Sequence, residues 1–282
     1  MARDSLRIGV TAPGAPLEPA TADALLELAA SLYPDGAVEV FVHPQCFRSS
    51  GHFAGDDAER AEAFLEIAND ESFDALWFAR GGYGACRTAE MVLRGLEPAA
   101  ARKAYLGYSD AGSLLAPLYG RGFEHVAHGP MPQDLRRPGG EAAVKRGLAW
   151  LVDQSAEALE PSVSWSGKTA AFNITILSNL LGTPWQPDLS DHVLLLEEVS
   201  EHMYRIDRSL CHITSNPAIR KAAGIRLGRC SDIPENDRPF GMDEEEVARF
   251  WCKRSGIPWL GRADIGHDAD NKVTPFGPLR RR

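Results

Sequence analysis

The sequence has no C-x-x-C pair, no H-E-x-x-H and no tight cluster of histidine, cysteine and carboxylate at metal-ligand spacing. Its five cysteines (Cys46, Cys86, Cys211, Cys230 and Cys252) are odd in number and scattered. That pattern argues against a disulfide framework and a structural zinc site. No uncharged apolar stretch approaches the roughly 18 residues that span a bilayer, so no membrane partner is expected. The start MARDSLRIGVTAP puts Asp4 and Arg7 where a secretion signal would carry its apolar segment. A cytoplasmic location without a signal peptide is the reading. Positive charge is also short: 30 basic against 39 acidic residues leave a net charge of −9, which argues against nucleic acid as a partner. The basic tail PLRRR is read as a solvated end.

What the chain does have is ordinary globular composition. Its 282 residues are 44% hydrophobic and 24% charged, enough to bury a sizeable core as one large domain or two modest ones. The first half alternates strand-like and helix-like segments. LRIGVT (6–11) is a β-branched run closed by the turn APGAP, and leucine and alanine recur at helical spacing over 21–33. VEVFV (38–42), DALWFA (74–79), AYLGY (104–108) and EHVAHGP (124–130) read as strands. Residues 56–70 read as a helix with Ala61, Phe64, Leu65 and Ala68 on one face. This order predicts an α/β fold, a parallel sheet with helices on both faces.

Ligands in such sheets sit beyond the carboxyl ends of the strands. Gly81 to Gly84, Ser109 and His128 all fall at such ends. A helix running into a polar connector over 139–162 puts a domain boundary near 160, dividing residues 1–160 from 161–282. In the second part, 173–182 and 204–213 read as helices and HVLLLEEVS (192–200) as a buried strand. Residues 242–255 read as a helix opened by an Asp243–Glu246 capping box, and 258–277 as a strand followed by a loop.

Five stretches carry candidate chemistry. In GYSDAG, Ser109 follows a strand and precedes a helix. A serine there is either an N-cap or a nucleophile aimed outward, with the Asp110 N–H ready to stabilise an oxyanion. A nucleophilic serine needs a histidine, and the histidine needs an acid to fix its tautomer. His267 in DIGHDADN and His128 in AHGPM each follow a strand. For the acid, strand alternation puts Leu195, Glu197 and Val199 on one face and Leu196 and Glu198 on the other. A carboxylate in so apolar a run must be paired, unless the strand simply ends and leaves one of the two solvated. The loop FARGGYGACRT lacks the third glycine of G-x-G-x-x-G and the Lys-Ser/Thr of a P-loop, yet its paired glycines permit close backbone approach to a ligand.

In order, IGVTAPGAP, ARGGYGACR, LGYSDAGSL, HGPM, NLLGTPW, LLLEEVSEHMYRIDR and IGH resemble the LD-carboxypeptidases, the muramoyltetrapeptide carboxypeptidase family of serine peptidases. The match runs through nearly the whole chain. The resemblance implies a Rossmann-like N-terminal domain, a smaller β-rich C-terminal domain and a Ser–His–Glu triad between them. Position by position, the nucleophile falls on Ser109, the glutamate on Glu197 and the histidine on His267. The oxyanion hole falls on the backbone N–H groups of Asp110 and Gly82. Arg80, Tyr83, Asn173 and Arg205, in matching motifs, are the substrate-binding candidates. The implied reaction releases the terminal D-alanine from murein tetrapeptide with no metal or organic cofactor, and the family suggests a homodimer.

Where many relatives read G-G-N-L, this chain has Ala171 and Phe172 before Asn173. If that stretch is a loop lining the pocket, Phe172 reshapes it. The chain also ends soon after VTPFG, so a longer C-terminal strand is not expected. Two other readings stand beside the main one. The first is a related hydrolase of peptidyl-nucleotide amides in self-immunity, with Trp185 and Phe172 as an aromatic platform. The second is a non-catalytic small-molecule binding protein, which would have no use for a complete Ser/Glu/His set.

Overall fold

The computed structural model describes residues 5–280. The first half folds as β1 (Leu6–Thr11), α1 (Pro19–Leu32), β2 (Val38–Val42), α2 (Asp57–Asn69), β3 (Ala75–Phe78) and α3 (Ala85–Gly95). It continues with β4 (Ala104–Gly107), α4 (Gly112–Gly120), β5 (Val126–His128) and α5 (Gly140–Asp153). Local chemistry sets the starts. Asp56 and Glu59 form a reciprocal capping box at α2, and Pro19 opens α1, where a missing N–H costs nothing. β3 and β4 are buried at every position, as strands covered by helices on both faces are. The five strands pair in parallel in the order β2-β1-β3-β4-β5. That order reverses between β1 and β3, so a crevice for a ligand opens at their carboxyl ends.

The second half contributes β6 (Lys168–Asn173), α6 (Ile174–Leu180), β7 (His192–Val199), α7 (Met203–Ser215), β8 (Gly224–Ser231), α8 (Glu244–Ser255) and β9 (Trp259–Arg262). β10 (Thr274–Pro275) and β11 (Gly277–Pro278) end it. β6 to β9 are parallel, and β11 closes the far edge antiparallel to β6. The Asp243–Glu246 box starts α8 as the sequence predicts. β6 and β8 have no counterpart in the sequence reading. Lys168 and Thr169 begin the first, and the second carries Gly224, Gly228 and two arginines, so neither shows an apolar run.

Residues 258–277 hold more than a strand and a loop. β10 pairs antiparallel with β5 and so extends the first sheet from the far end of the chain. Only Phe276 separates it from β11 in the second sheet, and the Phe276 N–H donates to the Val126 carbonyl (2.8 Å). The stretch with Ala171 and Phe172 is also not a loop. It belongs to β6, and Phe172 is buried against Phe276, with ring centroids 5.0 Å apart. Phe172 is therefore a core residue, because both faces of β6 are covered.

β7 and β8 run in register to Leu196 opposite Leu227 and resume at Glu198 opposite Cys230. Gly228 and Arg229 thus bulge opposite Glu197. A Cβ on Gly228 would lie 2.7 Å from the Ile265 carbonyl oxygen and 3.0 Å from the Glu197 Cβ, so only glycine fits. Among the described residues no helix is long and apolar enough to cross a membrane, and all five cysteines are free. Of the basic tail, Arg280 pairs with Glu124 (2.9 Å); Arg281 and Arg282 lie outside the described residues.

Candidate active site

After β4 the chain stays extended at Tyr108 and then turns sharply, with Ser109 at φ 61°. A β-substituted residue is disfavoured there, and a tight strand-to-helix turn of this kind presents a serine side chain outward. A 3-10 turn over Ser109–Ala111 leads into α4 without any side-chain cap. The N-cap reading of Ser109 therefore fails. Its Oγ lies instead 2.9 Å from His267 Nε2. A Cβ on Gly81 would fall 2.9 Å from both the Cβ and the Oγ of Ser109, so the glycine loop packs its backbone directly against the serine. Asp110 holds that loop in place: its buried Oδ2 accepts from the Ala85 N–H at the start of α3 (2.8 Å). Burial pushes its carboxyl pKa up to about 6.

His267 sits on the connection from β9 to β10. Its Nδ1 lies 2.5 Å from Glu197 Oε2, and the edge of Tyr108 packs on it, with ring centroids 4.9 Å apart. Burial pulls the imidazole pKa down, but the charge and hydrogen bond of Glu197 outweigh that and hold it above the ordinary 6.5. Glu197 is fully buried, and its Oε1 has no hydrogen-bond partner among the described residues. The alternation of β7 separates the two glutamates. Leu195, on the Glu197 face, clusters with Ala263 and Ile265 at the base of the histidine loop.

Glu198 points the other way, into the start of α6. It accepts from Thr175 N (2.9 Å), Thr175 Oγ1 (2.7 Å), Asn173 Nδ2 (2.5 Å) and Val199 N (2.9 Å). It is buried, not solvated, because the strand continues past it under α6. His128 is a core histidine. It is 1% exposed, its Nε2 faces Asn271 Oδ1 at 3.3 Å, and desolvation pulls its pKa down to about 4.

A cavity of about 120 Å³ opens in front of Ser109, lined by Arg80, Gly81, Gly82, Arg137 and His267 among others. A larger one of about 590 Å³ lies at the opposite, amino ends of the strands beside Leu6, Asp74 and Lys103; it holds no serine or histidine. Arg80 Nη1 donates to the Pro16 carbonyl (2.8 Å), and no carboxylate pairs with it among the described residues. Arg137, absent from the sequence reading, donates to Asp134 Oδ1 (2.9 Å), to the Tyr108 hydroxyl (3.3 Å) and to the His267 carbonyl. Asp134 is buried, and it also accepts from the Tyr108 hydroxyl (2.7 Å). Only its place shortly after β5 hints at this in QDLRRPGG.

The other candidates lie elsewhere. Tyr83 is on the glycine loop but half exposed against Phe53 and His52 (ring centroids 5.9 and 6.2 Å). Asn173 caps α6 and braces Glu198. Arg205 is on the exposed face of α7, 3.6 Å from Glu201. Trp185 packs at the edge of the core beside Pro117 and Gly120, away from Ser109. No group of three or more potential metal ligands occurs among the described residues.

Known proteins match along the whole of this architecture. Residues 8–129 match the LD-carboxypeptidase N-terminal domain and residues 166–279 the LD-carboxypeptidase C-terminal domain. A protein of Synechocystis named as a carboxypeptidase is 31% identical over 236 residues, covering 80% of this chain and 75% of its own. The crystal structure of muramoyltetrapeptide carboxypeptidase from Oxalobacter formigenes superposes with a TM-score of 0.77 at 25% identity, covering 96% of this chain and 92% of that one. The structure of MccF in complex with glutamyl sulfamoyl guanosine superposes with a TM-score of 0.78 over 98% of this chain and 92% of that one; at 16% identity it speaks for the fold alone. With both halves matched in order, and the serine and histidine of its motifs meeting at one cavity with the glutamate buried behind them, the chain belongs to the LD-carboxypeptidase family.

Proposed function

We propose that this protein is a serine LD-carboxypeptidase that hydrolyses the L,D amide of murein tetrapeptide and releases the terminal D-alanine. One observation carries the reading: an unbroken relay from Ser109 Oγ through His267 to Glu197, at 2.9 and 2.5 Å, at the mouth of a small cavity. With Glu197 accepting at Nδ1, the imidazole proton sits there and leaves Nε2 to take the serine proton. Ser109 Oγ attacks the carbonyl carbon, and His267 accepts its proton and then passes it to the departing amine. A water enters by the reverse route and frees the acyl group. Glu197 keeps the ring oriented and stabilises its cation.

The oxyanion would be received by the backbone N–H groups of Asp110 and Gly82, the latter from the loop that Gly81 packs against Ser109. The leaving amino acid ends in a carboxylate, and Arg80 is the cavity arginine with no acidic partner among the described residues. Arg80 is therefore assigned that carboxylate, while Arg137 is committed to Asp134 and to the His267 carbonyl. Tyr83, half exposed on the same loop, is assigned to the more distant part of the peptide.

Purified protein incubated with an L,D-linked tetrapeptide and with its all-L counterpart tests the reading. D-alanine release from the first alone is the expected result, with its loss in Ser109→Ala; no release from a folded protein would sink it. The peptidyl-nucleotide reading loses its residue-level support, because Phe172 and Trp185 both pack into or against the core and neither lines the cavity. We further infer a cytoplasmic location, and the family resemblance suggests a homodimer, which light scattering of the purified chain decides.

A further inference from the structure

Residues 263–273, between β9 and β10, carry His267 and are gripped from two sides. From the first half, Arg137 Nη1 donates to the His267 carbonyl. Arg146 on α5 donates through its Nη1 to two carbonyls of the same loop, Ala269 (3.1 Å) and Asn271 (2.7 Å). From the second sheet, Arg229 in the β8 bulge pairs with Asp264 through Nη1 (2.6 Å) and with both oxygens of Asp268. Within the loop, Asn271 Oδ1 accepts from the Gly266 N–H (3.2 Å).

All three arginines are partly buried, but Arg146 alone of them pairs with no carboxylate among the described residues, and unlike Arg137 it does not line the cavity. Withdrawing a guanidinium from water is unfavourable unless its N–H groups are used. Here they are used on main-chain carbonyls that the other half of the chain supplies, as charge-assisted bonds stronger than neutral ones.

We propose that Arg146 is a positioning residue for the proposed chemistry: its hold on the Ala269 and Asn271 carbonyls sets the histidine loop so that His267 meets Ser109 and Glu197 at once. The inference rests on reading His267 as the general base. The ring must reach a serine on the first sheet and a glutamate on the second, at 2.9 and 2.5 Å. A loop displaced by about 1 Å loses that double contact, and misplacements of this size cost up to about 100-fold in rate. The charged and titratable groups facing His267 are Glu197 and Glu198 on β7, Tyr108 after β4, Arg137 and Asp134 after β5, and His128 on β5. Arg146 is not among them. Loss of its positive charge would by itself favour the charged ring and raise the pKa of His267, whereas moving the ring away from Glu197 lowers it, so the sign of the shift tells the two apart.

The full chain serves for the test, as wild type, Arg146→Met, Arg146→Lys and, as a neighbouring control, Lys145→Gln. Lys145 pairs on α5 with Glu141 (2.6 Å). Two readouts are taken, steady-state release of D-alanine from the tetrapeptide and the titration of His267 followed by NMR of its ring. For Arg146→Met, kcat falls by about 10- to 100-fold with KM unchanged, and His267 titrates closer to the ordinary 6.5. Arg146→Lys, which can still bond one carbonyl, recovers part of both, and Lys145→Gln changes neither. Wild-type kcat and wild-type titration in Arg146→Met would overturn the proposal. So would a loss of activity that merely follows the folded fraction while His267 titrates as in the wild type. If Arg146→Met does not fold, Arg146→Lys decides by the same two readouts. If the wild type releases no D-alanine, the functional reading fails by itself, and the titration still decides the role of Arg146.

Discussion

Ser109 and His267 lie 158 residues apart in sequence, yet Oγ and Nε2 are 2.9 Å apart. One stands at the carboxyl end of a strand in the first sheet, the other on the loop that leaves the second. The geometry of that pair and its two glutamate neighbours fixes what the following measurements should give.

The two adjacent glutamates should separate cleanly by readout. Glu197→Gln removes the carboxylate that orients and charges His267, so kcat should fall by about 10⁴-fold with melting temperature little changed, as in triads that lose their acid. Glu198→Gln leaves the relay whole but weakens the acceptor for Thr175 N, Thr175 Oγ1 and Asn173 Nδ2. It should lower stability by about 1–3 kcal/mol while kcat stays near wild type. Paired denaturation and kinetic measurements check both; equal effects on kcat would refute the face assignment.

Activity against pH should show an acid limb above the ordinary histidine value. His267 must be neutral to accept the serine proton, and its pKa is held above 6.5 despite burial because Glu197 favours the charged ring. kcat/KM should therefore rise with pH through a value above 6.5. The stability linkage runs the opposite way. A raised folded pKa stabilises the fold fully below the unfolded value, and that contribution is lost as pH rises through the folded one. A kcat/KM limb below 6.5 would contradict the Glu197–His267 coupling.

His128 gives a second window of opposite sign. Desolvation depresses its pKa to about 4, so its contribution to stability is present above the unfolded value and is lost as pH falls from about 6.5 to about 4. Replacing it with the neutral Asn should flatten the decline in melting temperature over that range. An unchanged decline in His128→Asn would show that other groups carry it.

Gly81→Ala should damage catalysis far more than folding. The new Cβ would fall 2.9 Å from the Ser109 Cβ and Oγ, displacing the serine from His267. Loss of about 10²-fold in kcat is expected for a shift of that order. A wild-type rate in Gly81→Ala would mean that the serine does not occupy this position during turnover.

Phe172→Ala tests the corrected place of that residue. As a buried ring against Phe276, its truncation should cost about 3–5 kcal/mol in stability while KM for the tetrapeptide stays put. A large change in substrate preference with little loss of stability would return Phe172 to the pocket.

The five parallel strands of the first sheet are legible in the sequence because each is a compact, largely apolar run soon followed by Gly, Pro or Ser, whereas β10, a two-residue strand from the far end of the chain, is not. β6 and β8 are not, since Lys168, Gly224, Arg226, Gly228 and Arg229 interrupt any run. β8 needs Gly228 and Arg229 for reasons of packing and loop bracing that no local propensity reveals. Ser109 and His267 announce themselves by following strands, and the assignment of Glu197 over Glu198 comes from the family resemblance together with alternation. Arg137 and Arg146 could not be read. They act on carbonyls 130 and 123–125 residues away, and an arginine that bonds main chain leaves no pattern in its own neighbourhood. Asn173 misleads for the converse reason: its motif marks a helix cap.

The step of the chain through Phe276 also bears on how the protein can be dissected. A fragment cut near residue 160 would retain β5 but lose β10, its antiparallel neighbour. The sheet would then end on unpaired backbone groups along Val126–His128, the kind of open edge that recruits other chains and aggregates. The remaining fragment would carry β10 with no sheet to join. Attempts to express the halves separately should yield insoluble material, and co-expression of both is the arrangement in which a split version of this protein folds.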